Sequence, residues 1–286
     1  MGNETLEDIP ADWWKSEINA PKLNLWFKKH VIALHIGYLL KDKPYNFYAS
    51  GFLFSYQKRF LWITAGHVIQ DIEKLFQNNE CDAKHIAWID NNEINIASDC
   101  NTIPFDYSQT RKFYIDDKTM DLGVVRLEGL HLQTILSNHS NKWFTEENWR
   151  NNNLSNPEGF FLVGYPNETK VCKNVKKSDG NYSISKISCI SNPVERIARK
   201  ESDENEFWNY PDWFFGEALP ITKDGCTKLN DIRGMSGGPI LGIETTPDGK
   251  IIYRLFGIQS CWLPESKILR ATPIENVIKL IDEAIK

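Results

Sequence analysis

"RGMSGGP" (Arg233–Pro239) sets three glycines and a proline around one serine. Glycine weakens any helix or strand that must hold itself together. The stretch is therefore arranged for access to the backbone, and Ser236 is a candidate nucleophile. A serine hydroxyl is a weak nucleophile until a neighbouring base activates it, so the rest of the chain has to supply one.

The first test is chain order. Gly234-Met235-Ser236-Gly237-Gly238 also satisfies G-x-S-x-G, the strand-to-helix elbow of the α/β-hydrolases, in which the histidine follows the serine. Here Gly-Gly-Pro makes a poor helix start, and the last histidine of the chain is His139. That architecture is excluded, and the base lies upstream. His30 and His35 sit in or beside a strand-like run, and His85, His131 and His139 lie in turn-rich contexts. His67 differs, because it closes the run "FLWITAGHVI" (Phe60–Ile69), where Ala65 and Gly66 leave room for a projecting imidazole. Asp121 heads the apolar run "DLGVVRLEG", where a carboxylate is costly unless something bonds to it. An acid of this kind fixes the tautomer of a catalytic histidine; a solvated strand cap is the competing reading.

Strand signals dominate the remainder. "HVIALHIGYLL" (His30–Leu40) is β-rich, and "FYASGFLFSY" and "FLWITAGHVI" flank "QKR" as a hairpin. "KHIAWID" and "INIAS" bracket a further turn. An Asn- and Ser-rich stretch, residues 131–157, has one helical turn after Thr145 and reads as a linker. Strands resume at "GFFLVGYP" and "YSISKISCIS", and "NPVERIARKESDENEFWNYPDWFF" reads as a large loop. Ile274, Val277, Ile278, Ile281 and Ile285 follow helical spacing at the end. Short strands in two halves, closed by a helix, point to a mostly β fold of two antiparallel barrels. The expected divisions are an N-terminal extension (1–30), a first barrel carrying His67 and Asp121 (31–135), a linker (136–158), and a second barrel carrying Ser236 plus the helix (159–286).

Composition narrows the partners. A net charge of −5 argues against a nucleic-acid binder. The lysine cluster "KNVKKSD" (Lys173–Asp179) reads as a solvated hairpin tip. No apolar run is long enough to span a bilayer, and "MGNETLEDIPADWWK" has no signal-peptide core, so a cytoplasmic setting is expected. Leu6 stands at the Ser/Thr position of the myristoylation pattern, against lipidation. The six cysteines then stay reduced, Cys172 and Cys189 included, and none sits at zinc spacing.

"TAGH", "DLGVV" and "GMSGGP", in the order His, Asp, Ser, resemble the chymotrypsin-like (trypsin-like) serine proteases over roughly Val31 to Lys286. The resemblance implies two six-stranded barrels, Ser236 as nucleophile, His67 as general base and then acid, and Asp121 as orienting carboxylate. The amides of Gly234 and Ser236 would form the oxyanion hole. It implies a peptide or protein substrate and neither metal nor organic cofactor. "FGIQSCW" (Phe256–Trp262) matches the family's substrate-pairing strand, with Ser260 beside Asp121, and Cys261 and Trp262 bordering the cleft. By position, Asn230 or Asp231 lies at the base of the primary pocket. An inward-pointing Asp231 would select a basic side chain, whereas a surface position would not.

Two departures are informative. Met235 stands where the digestive members carry an aspartate that pairs with a freshly cut N-terminus, so activation by that route is not implied. Phe52 and Val68 stand where one disulfide would be, which agrees with an intracellular bacterial-type member. The functional expectation is a regulated cytoplasmic serine endopeptidase, with an activating protein partner as a further expectation and "EFWNYPDWFFGE" as its docking candidate. A catalytically silent scaffold of the same fold is the alternative.

Overall fold

The computed structural model describes residues 20–89, 102–117, 120–137, 141–150, 157–177, 180–199, 206–208, 213–219, 229, 231–248 and 251–284. The expected turn before "INIAS", the short helix over "PADWWKSEI", His139 and Ile285 lie outside them.

The chain enters through helix α1 (Ala20–Phe27). Strands β1 (Ala33–Leu40), β2 (Lys43–Ala49), β3 (Phe52–Tyr56) and β4 (Arg59–Thr64) follow. Both hairpins turn through two non-glycine residues at positive φ, Lys41-Asp42 (49° and 62°) and Gln57-Lys58 (47° and 62°). Positive φ at both central residues is the turn whose twist matches paired strands. Helix α2 (Gly66–Gln77) comes next, followed by β5 (Cys81–Ile89), β6 (Thr102–Pro104), β7 (Lys112–Asp116) and β8 (Asp121–Arg126). Helices α3 (Gly129–Ser137) and α4 (Glu146–Arg150) lead into β9 (Gly159–Gly164), β10 (Val171–Lys177), β11 (Gly180–Lys186), β12 (Ile190–Arg196), β13 (Phe214–Ala218), β14 (Pro239–Thr245), β15 (Ile251–Leu263), β16 (Ile268–Pro273) and helix α5 (Ile274–Ala284).

The fold is mostly β, with one closed six-stranded barrel in the order β9-β12-β13-β16-β15-β14 and a C-terminal helix. A second closed barrel is not formed among the described residues. The N-terminal strands make two four-stranded sheets, β2-β1-β5-β6 and β3-β4-β8-β7. They part at Ser50-Gly51, where the chain turns the corner from β2 into β3, and a bridge from Val31 to Phe52 runs beside the corner.

Three further expectations change. The run Phe60–Ile69 is not one strand, because β4 stops at Thr64 and α2 begins at Gly66. Val68, Ile69 and Ile72 then fall on one buried helical face, a period-3.6 signal that a β-rich run obscures. The supposed large loop from Asn192 to Phe215 contributes β12 and β13 to the barrel. Its aromatic segment packs locally: Phe207, Trp208, Trp213 and Phe215 form a buried cluster, and the Arg270 guanidinium lies 4.6 Å from the Trp213 ring centre. Asn192 is itself buried, so polar spelling hid a barrel strand. The stretch read as a linker holds α3 and α4, and its Phe144 and Trp149 are buried.

An apolar core runs through both halves, joining Phe27, Phe52, Phe54, Phe144, Phe161, Leu241 and Val277. Each such side chain contributes roughly 1.5–3 kcal/mol on burial. Helix α5 covers the core with Ile274, Val277, Ile278 and Ile281. The two halves are thus held together at the seam where the candidate site lies.

Candidate active site

Asp121 opens β8 and is 8 % exposed. Both of its oxygens are engaged. Oδ1 accepts the backbone N–H of His67 at 2.9 Å, and Oδ2 accepts the ring Nδ1–H at 2.8 Å. The first bond satisfies an amide that helix α2 leaves orphaned in its first turn, where the helix dipole favours an anion. The second fixes the imidazole tautomer and leaves Nε2 as the free acceptor. From the C-terminal barrel, the Thr272 hydroxyl donates to the Asp121 carbonyl at 3.3 Å. Burial pulls the His67 pKa down, but the hydrogen bond and charge of Asp121, with the charges of Asp116 and Asp71, outweigh it and raise the pKa above 6.5.

The other described histidines have different employment. His30 stacks on Phe144, and burial holds its pKa near 3. His35 bonds to Asn46 and stacks on Tyr48, and burial takes it to about 4. Among the described residues, His67 is the histidine whose ring meets a carboxylate.

Ser236 sits in the turn between Ile232 and β14. Gly237 (φ 90°) is pressed against the end of β4. A Cβ there would stand 2.1 Å from Thr64 Oγ1, 2.4 Å from the Ser50 carbonyl oxygen and 2.9 Å from Ala65 N. Only glycine allows this approach, and it brings the serine loop against the residues that lead into His67. Met235 on the other side is fully buried, packing with Ile232 and Leu162 in the barrel core. An apolar anchor thus holds the loop on this side.

The loop's amides divide into two sets. Arg233 N donates to Asp231, Met235 N to the Ile232 carbonyl, Gly237 N to the Gln259 carbonyl and Gly238 N to the Met235 carbonyl. Among the described residues, the amides of Gly234 and Ser236 meet no acceptor. Gly234 has φ 96°, a conformation costly for other residues. Among the described residues, no hydrogen bond joins the Ser236 hydroxyl to the His67 ring.

Of the expected specificity residues, Ser260, Cys261 and Trp262 lie side by side on β15, and Trp262 meets Asp231. Asn230 lies outside the described residues. The Asp231 carboxylate pairs with Arg233 Nε and accepts the Trp262 indole N–H at 3.1 Å. Its charge is thereby matched within the molecule. The Ser260 hydroxyl donates to the Arg270 carbonyl at 3.3 Å, and Thr272 is the hydroxyl that reaches Asp121's backbone. The Cys261 carbonyl accepts the Gln259 amide at 3.1 Å. From Ser260 to Leu263, β15 runs past the end of β14, and among the described residues no strand pairs with it on that side. Two residues that matter here, Ser50 and Thr272, carried no local signal in the sequence.

No protein-family model matches the chain, and no curated protein matches it by sequence. Among solved structures, the protease Anisep from Arthrobacter nicotinovorans is 14 % identical over 90 % of this chain and 95 % of that chain, with a TM-score of 0.42. A thermostable serine protease, AL20, from an extremophilic microorganism is 13 % identical over 86 % and 91 %, with a TM-score of 0.41. The tobacco etch virus protease complexed with product is 13 % identical over 91 % and 80 %, with a TM-score of 0.39. These structural neighbours are proteases of viral and microbial origin.

Proposed function

We propose that the protein is a serine endopeptidase that works through an acyl-enzyme at Ser236. The observation that carries this reading is the pair of hydrogen bonds between His67 and the Asp121 carboxylate, beside a serine loop whose Gly237 is pressed against Thr64 and Ala65, the residues that lead into His67. In the proposed reaction the Ser236 oxygen attacks the peptide carbonyl while Nε2 takes its proton. The oxyanion is received by the N–H groups of Gly234 and Ser236, the two loop amides that meet no acceptor among the described residues. The imidazolium, stabilised by Asp121, gives its proton to the leaving amine. Water then enters and passes a proton to Nε2 as its oxygen attacks the ester carbonyl; the Ser236 oxygen leaves, takes that proton from Nε2 and is regenerated as the hydroxyl, releasing the acid product.

The open side of Ser260–Leu263 supports an extended peptide as the substrate, added as a further strand. Trp262 would border it. Asp231 is matched by Arg233 and the Trp262 indole, which supports a cleft without strong preference for a basic side chain. The chemistry assigned to these residues calls for neither metal nor organic cofactor. The unpaired cysteines Cys81, Cys189 and Cys261 suit a reducing, cytoplasmic setting; burial pushes the Cys189 thiol up to about 12. Among the described residues, no helix is long and apolar enough to cross a membrane.

A second reading is gating by a partner or by substrate. The missing bond between Ser236 and His67 favours it, since such bonds tighten on forming a complex. Incubation with a peptide library tests both. Cleavage by the wild type and none by Ser236→Ala supports the endopeptidase, cleavage only with an added partner supports gating, and equal cleavage by both proteins contradicts the assignment.

A further inference from the structure

Ser50 belongs to the corner between β2 and β3, yet its side chain serves the opposite half of the molecule. The residue is fully buried. Its hydroxyl donates to the Gly234 carbonyl at 2.6 Å and accepts the Tyr165 N–H at 2.9 Å. Its own carbonyl accepts the Thr64 hydroxyl at 2.7 Å, at the last residue of β4, three residues before His67. One residue thus touches the segment that carries the base and the loop that carries the nucleophile.

The consequence follows from peptide geometry. In a planar trans peptide, C=O and N–H point in opposite directions, so fixing a carbonyl aims the amide that follows it. The Arg233 carbonyl accepts the Asn167 N–H at 2.7 Å, which aims the Gly234 amide away from Asn167. The Met235 carbonyl accepts the Gly238 N–H at 2.8 Å, which aims the Ser236 amide. The peptide between these two, from Gly234 to Met235, sets their relative direction. Its carbonyl is held by the Ser50 hydroxyl and its N–H by the Ile232 carbonyl at 3.0 Å. Of the three carbonyls, this one is fixed by a side chain, and that side chain comes from the other half.

We propose that Ser50 is a positioning residue that holds the Gly234–Met235 peptide and so keeps the Gly234 and Ser236 amides convergent on one oxyanion. This rests on the peptidase reading for its catalytic meaning, but the effect on the loop does not. Without the hydroxyl, the Gly234 carbonyl loses its donor and the peptide can rotate, misdirecting donors whose individual worth in such sites is on the order of 10²–10³ in rate.

The test compares wild type, Ser50→Ala and the near-isosteric Ser50→Cys, with melting curves for each. For Ser50→Ala, kcat on a peptide ester falls ten- to hundredfold, KM moves less than twofold, and affinity for a peptide boronate falls in step with kcat. Hydrogen exchange in the segment 232–238 accelerates at least fivefold, while α5 is unchanged. Should Ser50→Ala fail to fold, Ser50→Cys is held to the same criteria, since it keeps the volume and weakens the bond. Unchanged kcat and exchange, or a loss shared equally by KM and kcat, overturns the proposal. If the wild type itself shows no activity, exchange alone decides: acceleration upholds the positioning role while the peptidase reading falls, and no acceleration overturns the role.

Discussion

The two sides of the candidate site are built differently. On the His67 side both Asp121 oxygens are bonded, the ring is held through Nδ1 with Nε2 left as acceptor, and Thr272 holds the Asp121 carbonyl. On the Ser236 side the backbone is clamped, but two amides and the serine's link to the ring are left open among the described residues. On the proposed peptidase reading, the difference separates what is organised in the resting protein from what substrate would complete. A base must hold its tautomer before substrate arrives, whereas an oxyanion hole must have unsatisfied donors until it does.

The largest expected effect comes from the open side. Ser236→Ala should lower peptide hydrolysis by a factor on the order of 10⁶, as loss of a nucleophile does in comparable triads. Single-turnover assays read it, and residual activity within tenfold of wild type breaks the comparison. On the closed side, Asp121→Asn should cost about 10⁴ in kcat, because the amide favours the wrong imidazole tautomer. It also leaves the His67 N–H with an altered cap, so α2 should exchange faster near its start. A loss below tenfold would show that the paired oxygens do not govern the base.

Met235→Ala probes how the open loop is anchored. Emptying a fully buried site should destabilise the protein by roughly 2–5 kcal/mol, measured by urea unfolding. The smallest effect is electrostatic. Asp116 stands directly opposite Asp121 in the β7–β8 ladder and helps raise the His67 pKa. Asp116→Asn should lower that pKa, so the neutral base persists further into acid and the acidic limb of the kcat/KM profile moves down by less than about one pH unit. A shift upward would contradict the sign. Stability runs the other way from activity: with a raised folded pKa, the imidazolium's contribution is present below pH 6.5 and is lost as pH rises through the folded value.

What the sequence disclosed follows the range of the forces involved. The order of "TAGH", "DLGVV" and "GMSGGP" is local spelling, and it singled out a histidine and an aspartate that prove to be bonded. Hairpins and the C-terminal helix are likewise written in short periods. The closed barrel was only half legible, since β12 is spelled with Asn192, Pro193 and Glu195 and reads as loop until its partners are known. A second closed barrel is not shown among the described residues, where the first half forms two four-stranded sheets that part at Ser50-Gly51. Ser50 itself lies 184 residues from the carbonyl it holds, and nothing in "YASGF" announces that contact. For Asp231 the sequence left a pocket and a surface position open, and its pairing with Arg233 and Trp262 could not be read, because charge matching is decided by side-chain direction.

The most direct measurement is labelling of the purified protein with a fluorophosphonate, followed by mass spectrometry of the modified peptide in wild type, Ser236→Ala and His67→Ala. The account predicts one adduct, on Ser236, formed in wild type and lost in both variants. An adduct on another residue, or labelling that survives in His67→Ala at the wild-type rate, would contradict it.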